Sequence, residues 1–101
     1  MPNFFLKLVP PRPSFAADMN DAEKRMMQEH VGYWKAKLDR GEVVVFGPVL
    51  DPAGPFGMGV ISAPDEPGAR AFADNDPAMK SNRGFKCEIH PMRAVTRETV
   101  N

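Results

Sequence analysis

The 101-residue sequence has one cysteine, one tryptophan and one tyrosine, and no excess charge of either sign. A lone Cys87 cannot close an internal disulfide, so nothing in the chain calls for an oxidising compartment. Thirteen basic side chains face thirteen acidic ones, seven and six in residues 1–50, six and seven in residues 51–101. Neither half is a polyelectrolyte, which removes the electrostatic footprint of a nucleic-acid or anionic-membrane binder. No apolar run approaches the ~20 residues a membrane-spanning helix needs. The first residues lack the charged and apolar regions of a secretory leader, and a cytoplasmic location is expected. The sequence also has no His-Glu-x-x-His, no glycine-rich phosphate loop and no Gly-x-Ser-x-Gly elbow. Cys87 and His90 have metal-pair spacing, but residues three apart in a strand point to opposite faces and cannot converge on one ion. Chemistry without a metal or cofactor is the expectation that remains.

What is present is an ordered series of element signals. Residues 3–9 (NFFLKLV) are apolar and rich in strand formers, and Pro10-Pro11-Arg12-Pro13 stops them by removing backbone donors. A polar segment leads to Asn20, which with Glu23 has capping-box spacing and starts a helix. Along that helix Met27, His30, Trp34 and Leu38 recur at steps of three and four, with Met26 and Tyr33 beside them, so this stripe faces a core or a pocket. Gly41 ends the helix, and the apolar run from Glu42 to Leu50 predicts a strand buried on both faces.

Asp51-Pro52-Ala53-Gly54 suits a type I turn that folds this strand back on Phe56–Ser62. Asp65 can cap a second helix, which Asp76-Pro77 must end, because the residue before proline is pushed out of the helical region. Phe85, Cys87 and Ile89 alternate with polar residues as a last strand. The order βαββαβ predicts an α+β, ferredoxin-like fold spanning residues 1–95, with 96–101 as a loose tail. Two helices cover one face of such a sheet. Phe5, Val9 and the second strand would leave the other face apolar, so two copies are expected to stack sheet to sheet as a homodimeric α+β barrel.

The chain resembles the YciI-like (YCII-related) proteins, small domains that form dimeric α+β barrels. The resemblance runs over roughly residues 3 to 95. It rests on Glu29-His30-x-x-Tyr33-Trp34, on Gly41 to Phe46-Gly47-Pro48 with Asp51-Pro52-Ala53-Gly54, on Ala71 to Asp76-Pro77, and on Pro91-Met92. It implies an active site on His30 and Asp76, which match the family's helix histidine and its Asp-Pro aspartate. It also suggests lyase or isomerase chemistry, by analogy with a dehydrochlorinase of a chlorinated hydroxyhydroquinone and with muconolactone isomerases. The stretch from Pro10 to Met19 is an insertion relative to the shortest members, so any pocket lid there belongs to this chain.

Each candidate residue has two readings. His30 is a general acid/base whose tautomer a carboxylate would fix, or a packed histidine with a structural hydrogen bond. Asp76 is its orienter, or a cap for the turn that follows. Tyr33 and Trp34 line a flat pocket or fill the core. Phe46-Gly47-Pro48 brings backbone close to a ligand, or Gly47 marks a bulge. Arg12 meets a substrate anion with its fork of donors, or is a solvated loop charge. Gly54 to Gly59 echoes the third-strand motif of RNA-recognition domains, but it lacks the leading basic residue and second stacking aromatic, so no nucleic-acid partner is expected. The expected function is a lyase or isomerase step in which His30 moves a proton, oriented by Asp76, on a small organic acid, for which an aromatic ring or a lactone is a candidate form. The alternative is a non-catalytic module binding a small ligand or a partner.

Overall fold

The alternation in β1 (Asn3–Val9) turns Phe4, Leu6 and Leu8 to one side, where all three are buried, and leaves Phe5, Lys7 and Val9 on the other. The structure, a computed structural model, describes residues 1–97, so the last four residues of the expected tail lie outside it. Three more strands flank or join β1: β2 (Val43–Val49), β3 (Phe56–Ser62) and β4 (Lys86–Met92). Every pairing is antiparallel and the order is β2-β3-β1-β4, so β2 and β4 are the edges. Each edge strand carries a proline, Pro48 in β2 and Pro91 in β4.

The helices all lie over the Phe4–Leu6–Leu8 side. α2 (Asp21–Asp39) is started by the full capping box, with Asn20 accepting from the Glu23 amide and Glu23 accepting from the Asn20 amide. Its sealed stripe is Glu23, Met26, His30 and Trp34; Met26 is sealed where the sequence predicts Met27, and Leu38 is only partly buried. α3 (Glu66–Asp74) presents Ala69 and Ala73 to the sheet, and small residues there let helix and sheet approach closely. Two short helices complete the layer. α1 (Phe15–Asp18) sits inside the segment expected to be polar loop and buries Phe15; α4 (Pro77–Lys80) follows the Asp76-Pro77 break. Phe4, Leu6, Trp34 and Ile61 anchor one core cluster; Leu8, Phe15 and Met26 anchor a second.

Two expectations for β2 need correction. The strand is not buried on both faces: Val44 and Val45 are 42% and 48% exposed, because β2 is an edge strand with no helix beneath its outer face. The irregularity in its pairing falls between Val43 and Val45, not at Gly47, which pairs in register with Met58. The face away from the helices carries Phe5, Val45, Met58 and Val60 in neighbouring register, with Lys7 between Met58 and Glu88 on the central strand β1 and with Glu88 and Lys86 on the edge strand β4. That face is apolar over β2, β3 and Phe5 and carries its charges on Lys7 and along β4.

Candidate active site

His30 and Asp76 are 46 residues apart in the chain and in direct contact in the fold. The α2 stripe carries His30 inward, while proline geometry at residue 77 ends α3 and starts α4, leaving Asp76 as the cap between them. His30 Nδ1 lies 2.9 and 2.8 Å from the two Asp76 carboxylate oxygens. An ionised carboxylate only accepts, so the proton sits on Nδ1 and a neutral ring has its bare nitrogen at Nε2. Two further donors hold Asp76: Trp34 Nε1 donates to Oδ2 at 2.7 Å and the Ala78 amide to Oδ1 at 2.8 Å. Asp76 is 2% exposed and all its partners come from fixed elements, so the carboxylate cannot swing away from the imidazole. Both readings of Asp76, cap and histidine partner, hold geometrically at once.

Nε2 has no hydrogen-bond partner among the described residues, and no buried side-chain polar atom among them is left unpaired, so Nε2 reaches open space. That space is a cavity of about 200 Å³ between α2 and the sheet, near the β2–β3 end. Its floor is Leu6, Leu8 and Trp34; Phe46, Gly47 and Pro48 form one wall; Pro10, Phe15 and Ala16 from the strap before α2 lie across it, with Phe85 alongside. His30 is the one ionisable side chain among the lining residues. The Trp34 ring can lie flat on the sheet because Gly59 has no side chain: a Cβ there would be 2.2 Å from Trp34 Cζ3.

Tyr33 and Arg12 are elsewhere. Tyr33 turns to the other flank of α2, where its hydroxyl donates to the Phe72 carbonyl at 2.8 Å and its ring meets Phe72 edge-on, so it does not line the His30 cavity. Burial pushes its phenol up to about 12. Arg12 neither meets that cavity nor floats free in solvent. Its Nη1 and Nη2 donate to the two Glu23 oxygens at 2.8 and 2.9 Å and its Nε donates to Asp18 at 2.8 Å. The hydrogen bonds from Arg12, with the backbone bond from Asn20, hold the Glu23 carboxyl down at about 2. Cys87 and His90 fall on opposite faces of β4, Cys87 toward the helices and His90 beside Phe5 on the open side, and burial pushes the Cys87 thiol up to about 11.

Some cavity-lining positions had no clear sequence signal. Phe15 lies in a proline-rich stretch with no periodicity to follow, and Phe85 lines the cavity from a position that reads as an ordinary strand residue, whereas Met27 belongs to the stripe expected to face a core or a pocket. The Arg12–Glu23 pair was hidden because Glu23 already had a complete role in the capping box.

The sequence matches one known family over most of its length. A profile of the family described as the YCII-related domain matches residues 3–93. No curated protein matches the sequence. Among solved structures, the chain is similar to 5-chloro-2-hydroxyhydroquinone dehydrochlorinase from Burkholderia phenoliruptrix AC1100 in complex with 2,5-dihydroxybenzoquinone, with a TM-score of 0.65 and 17% identity over 89% of this chain and 93% of that one. At that identity the likeness shows a shared fold.

Proposed function

The chain belongs to the YCII-related domain family, and from that premise we propose that it is a small-molecule enzyme of lyase or isomerase type in which His30 moves the proton. The observation that carries this reading is the asymmetry of the imidazole: Nδ1 is clamped on Asp76 while Nε2 is bare and opens into an apolar cavity. A histidine kept only for packing gains nothing from a free nitrogen at a void. A general base needs that arrangement, with its tautomer fixed from behind.

The step is a proton transfer that needs no oxidant. Nε2 takes a proton from a hydroxyl or an activated C–H of the bound ring, and Asp76 stabilises the imidazolium that forms. In a lyase step the released electron pair forms a new π bond as a leaving group departs from the neighbouring carbon with its own bonding pair. In an isomerase step the imidazolium returns the proton to a different carbon. The flat, apolar walls and the ligand of the structural neighbour, a dihydroxybenzoquinone, support a single aromatic, quinonoid or lactone ring as substrate. Arg12 has no part in holding it. The open sheet face supports assembly as a homodimer in which Phe5, Val45, Met58 and Val60 of two copies meet. A reducing, cytoplasmic setting suits the free Cys87.

The test is catalysed exchange and elimination on a panel of chlorinated and unchlorinated hydroxyhydroquinones and unsaturated lactones in D₂O, followed by NMR. Wild type is expected to release chloride or incorporate deuterium with at least one of them, and His30→Gln to lose the activity while still folding. Binding without turnover, equal in wild type and His30→Gln, would instead identify a non-catalytic ligand-binding module.

A further inference from the structure

The charges around the cavity are arranged in a way that its lining alone does not reveal. The strap that roofs it carries one cation, Arg12, and the ring of Phe15 stands between that cation and the void: the guanidinium carbon is 5.1 Å from the Phe15 centroid, and Phe15 lines the cavity while Arg12 does not. Phe15 is 3% exposed and is held by an edge-on contact with Phe85, centroids 5.1 Å apart at 85°. Behind it, four of the donors of Arg12 are engaged by Glu23 and Asp18. Exposed Arg83 adds only a weak pull on Glu23, with no hydrogen bond or ion pair to it among the described residues. Glu23, held at about 2, stays ionised through the neutral range, so Arg12 is not released. On the cavity's other side the His30–Asp76 pair adds a negative charge whenever the imidazole is neutral.

Building on the proposed function, we infer that the cavity is selective for a flat, single-ring ligand that carries no carboxylate and directs one hydroxyl or acidic C–H at His30 Nε2, and that Phe15 is the residue that sets this selectivity. A carboxylate inside would find no arginine or lysine on the lining, and a protonated His30, the one cation available, is already shared with Asp76. An unpaired buried charge is among the most unfavourable arrangements a protein can hold. A neutral hydroxyl gives up little hydration and gains a hydrogen bond to Nε2. The class of substrate is therefore a phenol, hydroquinone, hydroxyquinone or uncharged lactone, and a ring carboxylate of the same size is refused. Phe15 is the screen: with it reduced to a methyl group, the cavity would reach the Arg12 guanidinium, whose four hydrogen bonds among the described residues leave one of its five N–H donors free for a carboxylate.

Hydroquinone and 2,5-dihydroxybenzoate share a ring and two hydroxyls and differ by a carboxylate, so their binding can be compared by NMR, read from the single Trp34 indole signal and the His30 ring signals. Wild type is expected to bind hydroquinone at least about 100-fold more tightly. Phe15→Ala is expected to narrow that ratio at least about 10-fold, mainly by strengthening benzoate binding. In Arg12→Gln, which removes the cation without opening the roof, the wild-type ratio should persist. Equal or tighter benzoate binding by wild type, or a wild-type benzoate affinity that falls in Arg12→Gln, would overturn the inference while leaving the proposed function standing. An unchanged ratio in a folded Phe15→Ala would remove Phe15 from the role. If neither probe moves the Trp34 and His30 signals, the cavity is not a ring site, and the proposed function falls together with the inference.

Discussion

Replacing Gly59 by alanine would disturb the His30–Asp76 pair from the opposite side of the core. The added Cβ would lie 2.2 Å from Trp34 Cζ3, 2.5 Å from Cη2 and 3.2 Å from Cε3. The obstacle is a buried indole wedged edge-on against Phe72, with centroids 4.8 Å apart, so it is not a flexible tip that can step aside. Two effects oppose. Alanine is better than glycine in a strand by roughly 0.5–1 kcal/mol, because the unfolded chain loses freedom. Against that, overpacking a filled core costs about 1–3 kcal/mol. Displacing the ring also breaks the 2.7 Å bond from Trp34 Nε1 to Asp76, and a hydrogen bond to a charged group contributes about 1.5–3 kcal/mol. The net loss is about 2–5 kcal/mol, a large share of the 5–15 kcal/mol that holds a domain of this size together. Urea unfolding of Gly59→Ala should show that loss, with a fall in melting temperature of roughly 4–8 °C per kcal/mol. The indole N–H should also lose its protection from hydrogen exchange. A variant within about 0.5 kcal/mol of wild type, with the indole still protected, would refute the chain of reasoning from Gly59 through Trp34 to Asp76.

Asp76→Asn replaces an acceptor-only group by an amide, whose NH₂ would donate to Nδ1 and drive the proton to Nε2; ¹⁵N chemical shifts should report the reversed tautomer, and turnover should fall by about 10²-fold or more. The Glu23 carboxyl, ordinarily near 4.5, is held near 2 in the folded protein by Arg12 first and by the Asn20 amide second. Its contribution to stability is therefore complete above about pH 4.5 and is lost as the pH falls toward 2; urea titrations across that window should show the decline, and Glu23→Gln, which keeps the capping box, should flatten it. Light scattering at micromolar concentration should return twice the 11.2 kDa chain mass, and Val45→Lys on the open sheet face should return the single mass.

The elements were legible because each is announced locally. The capping box at Asn20–Glu23, the alternation in β1 and the Asp51–Gly54 turn depend on residues within a few positions of each other, and all three form. The His30–Trp34 edge of the site was legible as a stripe, and Asp76 as a residue that a following proline fixes in place. What failed depends on distant partners. The valines of β2 read as doubly buried because an apolar run looks the same in a central strand and in an edge strand whose outer face is apolar. Tyr33 sits one position from Trp34, and that 100° rotation about the helix is enough to turn it from the cavity to α3. Arg12 lies eleven residues from Glu23, and no local pattern encodes a fork that closes across a strap.

The placement of prolines at both margins of the sheet has a consequence for how this chain behaves in a crowded cell. Unpaired strand margins invite other chains to extend the ladder, the route to fibrils. Here one margin carries Pro48 and the kink between Val43 and Val45, and the other carries Pro91 with Lys86 and Glu88. A missing amide at each margin interrupts any ladder that tries to grow sideways. The apolar valines of β2 can therefore stay uncovered on the flat side without making the protein a seed for amyloid: growth along the sheet is blocked, and only closure across its face is left open.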